Sequence, residues 1–210
     1  MLDRDEDIKV QQGSVIPSSI RNLSQFFYHK SSVVMAVVLT VITFGYLFFV
    51  MKAQSVGFEL ADSNIKSLGT SFGFGQTDVT SFFAARTDEM INAYIDFNQL
   101  WDPLFGLMYG FMYVTWVSLV FKPFSQKAGL LNLFPFAQVV FDWLENFEVV
   151  SLANQYLAEG VISATTSQLA SVFSMIKWAC SGMTYMLILI GLILLSARAI
   201  MAKKGLPRTK

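Results

Sequence analysis

Residues 142–148 read Asp-Trp-Leu-Glu-Asn-Phe-Glu and place three carboxylates inside an otherwise apolar stretch. A carboxylate near the middle of a bilayer costs about 2.5–3.5 kcal/mol on insertion scales, so acids in such a stretch must face protein or water rather than lipid. Asp142, Glu145 and Asn146 stand at i, i+3 and i+4 and therefore share one helical face, with Gln138 one turn earlier on the same side. Glu148 points about 60° away from Glu145 on a helical wheel and reads as reaching the outer interface. Lys177 is the base at a similar depth. An ion pair would offset part of the desolvation of one acid, while Asn146 and Gln138 hydrogen-bond another. The candidate polar pocket is thus Asp142, Glu145, Asn146, Lys177, Gln138 and Tyr109, with Trp143 and Trp178 as further aromatic walls.

Such a pocket suits three kinds of chemistry: binding a cationic or hydroxylated amphiphile, carrying a proton, or acid–base work on a lipid. The same residues would also serve a structural or accessory subunit whose polar face only pairs helices, and whether the chain is an enzyme stays open. A proton or ion pathway is the weakest reading, because few titratable groups lie between Asp142 and Lys122 or Lys127. The chain has one histidine, His29, and one cysteine, Cys180. His29 lies in the leader, away from the candidate pocket, so a Ser-His-Asp set is not expected there, and the single histidine and cysteine exclude a two-histidine zinc motif, a thiolate metal site and an intramolecular disulfide. No cofactor and no metal are expected.

The elements that must carry this pocket are membrane helices. Apolar residues make up 54% of the chain and charged residues 14%, a balance that belongs to an integral membrane protein. Uncharged runs at 31–51, 103–121 and 178–197 each approach the roughly 20 residues needed to cross a hydrocarbon core. A fourth span, 130–152, is interrupted by the acidic cluster. The fold class is therefore all-α, a four-helix membrane bundle with spans at about 31–51, 103–121, 130–152 and 172–197. Basic residues set the orientation. Arg4, Lys9, Arg21, Lys30, Lys122, Lys127, Arg198, Lys203, Lys204, Arg208 and Lys210 fall on one side, against Lys52, Lys66 and Arg86 on the other, with Lys177 at its edge. Both termini are expected in the cytoplasm, in a cell (inner) membrane, with the first span as insertion signal and no cleavable leader.

Residues 1–30 read as a polar tail anchored at the interface by Phe26, Phe27 and Tyr28, and 198–210 as a basic tail. The outer segment 52–102 is too small for a core of its own and should lean on the bundle. Its Leu-Gly-Thr-Ser-Phe-Gly-Phe-Gly stretch lacks the strand and the Lys-Ser/Thr of a phosphate loop. Thr77 or Asp78 then caps an amphipathic helix running to about Gln99, placed like a lid over the outer mouth of the bundle. Asp102 is a natural cap for the second span, with Pro103 at its first position. Gly106 and Gly110 make a small-xxx-small pair that admits a close helix neighbour. Pro135 falls within the third helix and should bend it, and one long helix covers about 163–197. The expected partners are membrane lipids and a small amphiphilic ligand, with homo- or hetero-oligomers open and no nucleic acid.

The run Asp102, Tyr109-Gly110, Leu133-Phe134-Pro135, Asp142-Trp143-Leu144-Glu145-Asn146 and Lys177-Trp178 resembles a group of uncharacterised bacterial four-span membrane proteins with an Asp-x-x-Glu-Asn third span. The likeness covers about residues 31–197 and implies the four-span fold without an activity. In this chain the proline follows Asp102 directly, a departure from that group's pattern. A looser resemblance, to the sterol-isomerase and sigma-receptor type of four-helix bundle, implies buried acids that hold a cation, although that type's histidine is absent.

Overall fold

The computed structural model describes residues 17–60 and 67–203. The sequence readings for 1–16, Lys66 and 204–210 lie outside the described residues. Six helical elements follow in order: α1 (Ser18–Lys30), α2 (Val33–Ser55), α3 (Gln76–Ala84), α4 (Asp88–Ala128), α5 (Pro135–Glu159) and α6 (Ala164–Lys203). The described chain contains no strand. Helices α2, α4 and α6 are long and apolar enough to cross a membrane. At 25 residues α5 has the length, about 37 Å at 1.5 Å per residue, but carries the acids.

Helix α4 is the central element, packing against α1, α2, α5 and α6, and α5 lies along α6. Close approach depends on small residues. A Cβ on Gly110 would come within 2.6 Å of Val139, and one on Gly106 within 3.0 Å of Asp142 Oδ2, so this glycine pair seats α4 on α5. The buried positions of α6 recur at helical spacing as Ser167, Ala170, Ser174, Lys177, Ser181 and Thr184. Lys177 is the one large side chain in that small-residue stripe.

Residues 56–60 and 67–100, together with the ends of α5 and α6, share one apolar core. Phe58, Phe82, Phe83 and Tyr94 interlock there over Val149, Leu152 and Ala170. Arg86 ties it together: its guanidinium donates to the carbonyls of Phe58 at 2.8 Å and Phe82 at 2.6 Å and lies 3.5 Å from the Phe82 ring centre. Burial lowers the pKa of this guanidinium, which still keeps its proton.

Four local expectations are corrected. The amphipathic helix does not run to Gln99, because Thr87 caps a new helix by accepting from Met90 N, with Asp88 and Glu89 in its first turn, where the helix dipole favours acids. That new helix does not stop at Asp102 either. It continues through a π-helical segment, Phe97–Trp101, into the second span, so Asp102 is inside a helix and caps nothing. The wider π turn is where Pro103, which has no N–H, is accommodated in mid-helix. Pro135 sits at the first position of α5, where a missing N–H costs nothing, and therefore does not bend it. Finally, residues 18–30 form a helix docked on the bundle: Phe27 packs on Phe111 and Phe136, and buried Ser24 donates to Asn132 Oδ1 at 2.6 Å.

Candidate functional site

Three helices and one loop converge on Lys177. From α5, Asp142 Oδ1 lies 3.3 Å from its Nζ, and Glu145 is in direct ion-pair contact with it. The i, i+3 spacing on α5 points both acids at α6, and the stripe of small residues on α6 lets the two helices close around the pair. Glu145 is fully buried, while Asp142, Asn146 and Lys177 are nearly so. Loop residue Gly69 supplies a third ligand, its carbonyl accepting from Lys177 Nζ at 3.1 Å.

The glycine-rich stretch thus does the opposite of a phosphate loop, offering a carbonyl to a cation rather than N–H groups to an anion. It is fastened to α6 by two more bonds, Ser174 Oγ donating to the Ser71 carbonyl at 2.8 Å and Phe74 N donating to Ser171 Oγ at 2.9 Å. Gly73 makes this seat possible. Its φ of +78° suits only glycine, and a Cβ there would stand 3.0 Å from Met175.

A third acid, not among the candidates read from the sequence, joins from α4. Asp102 Oδ2 accepts from Asn146 Nδ2 at 2.8 Å, and Asp102 is an electrostatic neighbour of Lys177 and Asp142. The available signal was its position seven residues before Tyr109 on a helix, two turns along the same face. The π segment keeps that face aligned. In an unbroken α-helix the i+4 column Tyr94, Asn98, Asp102, Gly106, Gly110 would drift by about 160°, and one extra residue absorbed in a π turn removes about 100° of it. Helix α2 has its own π segment, Tyr46–Met51, and Tyr46 Oη donates from there to the Trp101 carbonyl at 3.1 Å.

The remaining candidates fall around this centre. Tyr109 is buried beside Asp142. Gln138 is buried one turn from Asp142, and its Oε1 has no partner. Asp142 Oδ2, Glu145 Oε1 and the Tyr109 and Tyr94 hydroxyls are buried and meet no donor or acceptor in good hydrogen-bond geometry, although Tyr109 neighbours Asp142, Ser174 neighbours Glu145 and Asn98 neighbours Tyr94. Glu148 stands apart, half-buried and in no ion pair among the described residues. The tryptophans do not enclose the acids. Trp143 is 41% exposed with its indole N–H on the Pro103 carbonyl at 3.2 Å, and Trp178 is 37% exposed beside Lys177.

Trp143 instead walls an open groove of about 350 Å³ between α4 and α5, together with Asn98, Gln99, Asn146, Phe147 and Asn154. The amide nitrogens of Asn98, Asn146 and Asn154 are engaged with Tyr94 O, Asp102 Oδ2 and Val150 O. Their carbonyl oxygens remain as acceptors. Asn146 belongs to both the groove and the buried cluster, and so connects them. The chain matches no protein-family model, no curated protein and no solved structure.

Proposed function

We propose that this chain is a four-span integral membrane protein, with both termini cytoplasmic, that holds the cationic or hydroxylated head of a small amphiphile at the site around Asp142 and Glu145. The observation that carries this reading is the imbalance of charge. Three carboxylates, Asp102, Asp142 and Glu145, gather around one ammonium, Lys177, and leave buried carboxylate oxygens that meet no donor in good hydrogen-bond geometry. Pairing two helices needs one acid and one base. A surplus of acid calls for a further donor, and an ammonium or hydroxyl group of a ligand supplies it. The adjoining groove supports the same class of ligand, because its amides have acceptors to spare and its Trp143 and Phe147 offer apolar walls for a chain. The four-span reading takes α5 as the remaining span, its acids turned onto α4 and α6.

The test is native mass spectrometry of the purified protein. A bound amphiphile is expected in the wild type and lost in Asp142→Asn and in Asn146→Leu, while Glu148→Gln keeps it. If nothing is bound, and Asp142→Leu combined with Lys177→Leu gives a folded protein and unaffected cells, the polar face only pairs helices.

A further inference from the structure

The far end of the molecule, where α1 packs and α6 finishes, carries a groove of different chemistry. The last turns of α4, from Lys122 on, and the last turns of α6 enclose about 720 Å³, with Phe124, Lys127, Leu194, Arg198 and Met201 among the lining residues and no carboxylate among them. Arg198 is fixed in place: Nη1 donates to the Pro123 carbonyl at 3.2 Å and the guanidinium lies 5.6 Å from the Phe124 ring centre. Among the described residues this is its one hydrogen bond, which leaves most of its five N–H donors for another acceptor. Lys127 is exposed and makes no ion pair among the described residues.

The walls below these cations are apolar. Leu194 and Met201 are exposed, and the exposed ridge continues along α6 through Ile193 and Ile190 toward the middle of the span. Two positive charges at the top of an apolar ridge match a molecule with an anionic head and a hydrocarbon tail. A basic side chain that merely snorkels would extend into water. Arg198 is held back against Pro123 and Phe124.

We propose that this groove seats an anionic phospholipid, its phosphate between Lys127 and Arg198 and an acyl chain along Leu194 and Ile193. A free phosphate would use the cations but leave the apolar ridge without a role. Each basic group near an anionic lipid surface is worth about five-fold in affinity, and the pair about 25-fold.

The experiment compares the protein in phosphatidylcholine vesicles and in equimolar phosphatidylglycerol–phosphatidylcholine vesicles, followed by native mass spectrometry of the released protein. Phosphatidylglycerol is expected to stay bound and to raise the melting temperature. Lys127→Gln with Arg198→Gln should weaken that retention about 25-fold, whereas Lys52→Gln, an exposed cation outside the groove, should not. Should the double variant fail to fold, Lys127→Gln alone breaks no hydrogen bond among the described residues and should still weaken retention about five-fold. Equal retention of phosphatidylcholine, undiminished retention in the variants, or equal stabilisation by inorganic phosphate alone would each overturn the proposal.

Discussion

Lys177 shows how a buried base depends on its acids. Removing one partner of a buried pair strands the other, a loss of about 3–5 kcal/mol, more than the net worth of the pair itself. Lys177→Met should therefore lower the melting temperature in detergent sharply, because Asp142, Glu145 and Asp102 then crowd without a cation. Glu145→Gln should lower it less. The double variant should cost less than the sum, and strict additivity in thermal unfolding would contradict the ion-pair contact. Glycines give a second probe with an internal control. Gly106→Ala places a methyl 3.0 Å from Asp142 Oδ2 and 3.2 Å from Trp143 Nε1, overpacking that should cost about 1–3 kcal/mol. Gly182→Ala on α6 meets nothing within 4 Å and should gain up to about 1 kcal/mol from helix propensity. Thermal unfolding of the two variants should move in opposite directions.

The loop at 67–75 is held to α6 by a few hydrogen bonds, whereas the short helix α3 is anchored by the buried Val79, Phe82 and Phe83. Three hydrogen bonds hold the loop to α6, and two carbonyl bonds from Arg86 hold the end of α3 to Phe58. Gly73→Ala forces a Cβ into a left-handed backbone and against Met175, so amide hydrogen exchange across 67–75 should speed up while the middle of α4 keeps its protection. Unchanged exchange in the loop would mean that the seat on Met175 does not restrain it. Arg86→Lys keeps the charge but not the planar fork that reaches two carbonyls and covers the Phe82 ring. A loss of about 1–3 kcal/mol in unfolding is expected, seen first at Phe58 and Phe82.

Across the whole molecule the two ends differ in kind. One end holds the aromatic core around Phe82 and Tyr94 with the acids beneath it, and the other holds α1 with the cations Lys122 and Lys127 at the end of α4 and Arg198. The proposed topology puts these ends on opposite sides of a membrane, with the basic residues of the second end in the cytoplasm. Ala85→Cys and Gln126→Cys, both at exposed positions, report on this directly. An impermeant thiol reagent applied to intact cells should label the first and not the second, in a background where Cys180 is replaced by Ser. Labelling of both from outside would remove the proposed topology.

Uncharged runs of about 20 residues identify the apolar helices from the chain alone, because crossing lipid is a demand on each segment separately. The face shared by Asp142, Glu145 and Asn146 is likewise a local property, set by 3.6 residues per turn. Which groups answer that face is not local. Asp102 reads in the sequence as a helix cap beside a proline, and it becomes the third acid of the site only because a π segment carries α5's neighbour helix through Pro103 in register. Gly69 reads as part of a glycine-rich stretch without the features of a phosphate loop. Its carbonyl reaches Lys177 because Gly73 and Ser174 seat the loop on α6, 103 residues away in sequence from Ser71. Periodicity fixes where a side chain sits on its own helix, whereas partners are chosen by how closely two helices approach, and that distance was decided by Gly106, Gly110 and the small residues of α6 acting together.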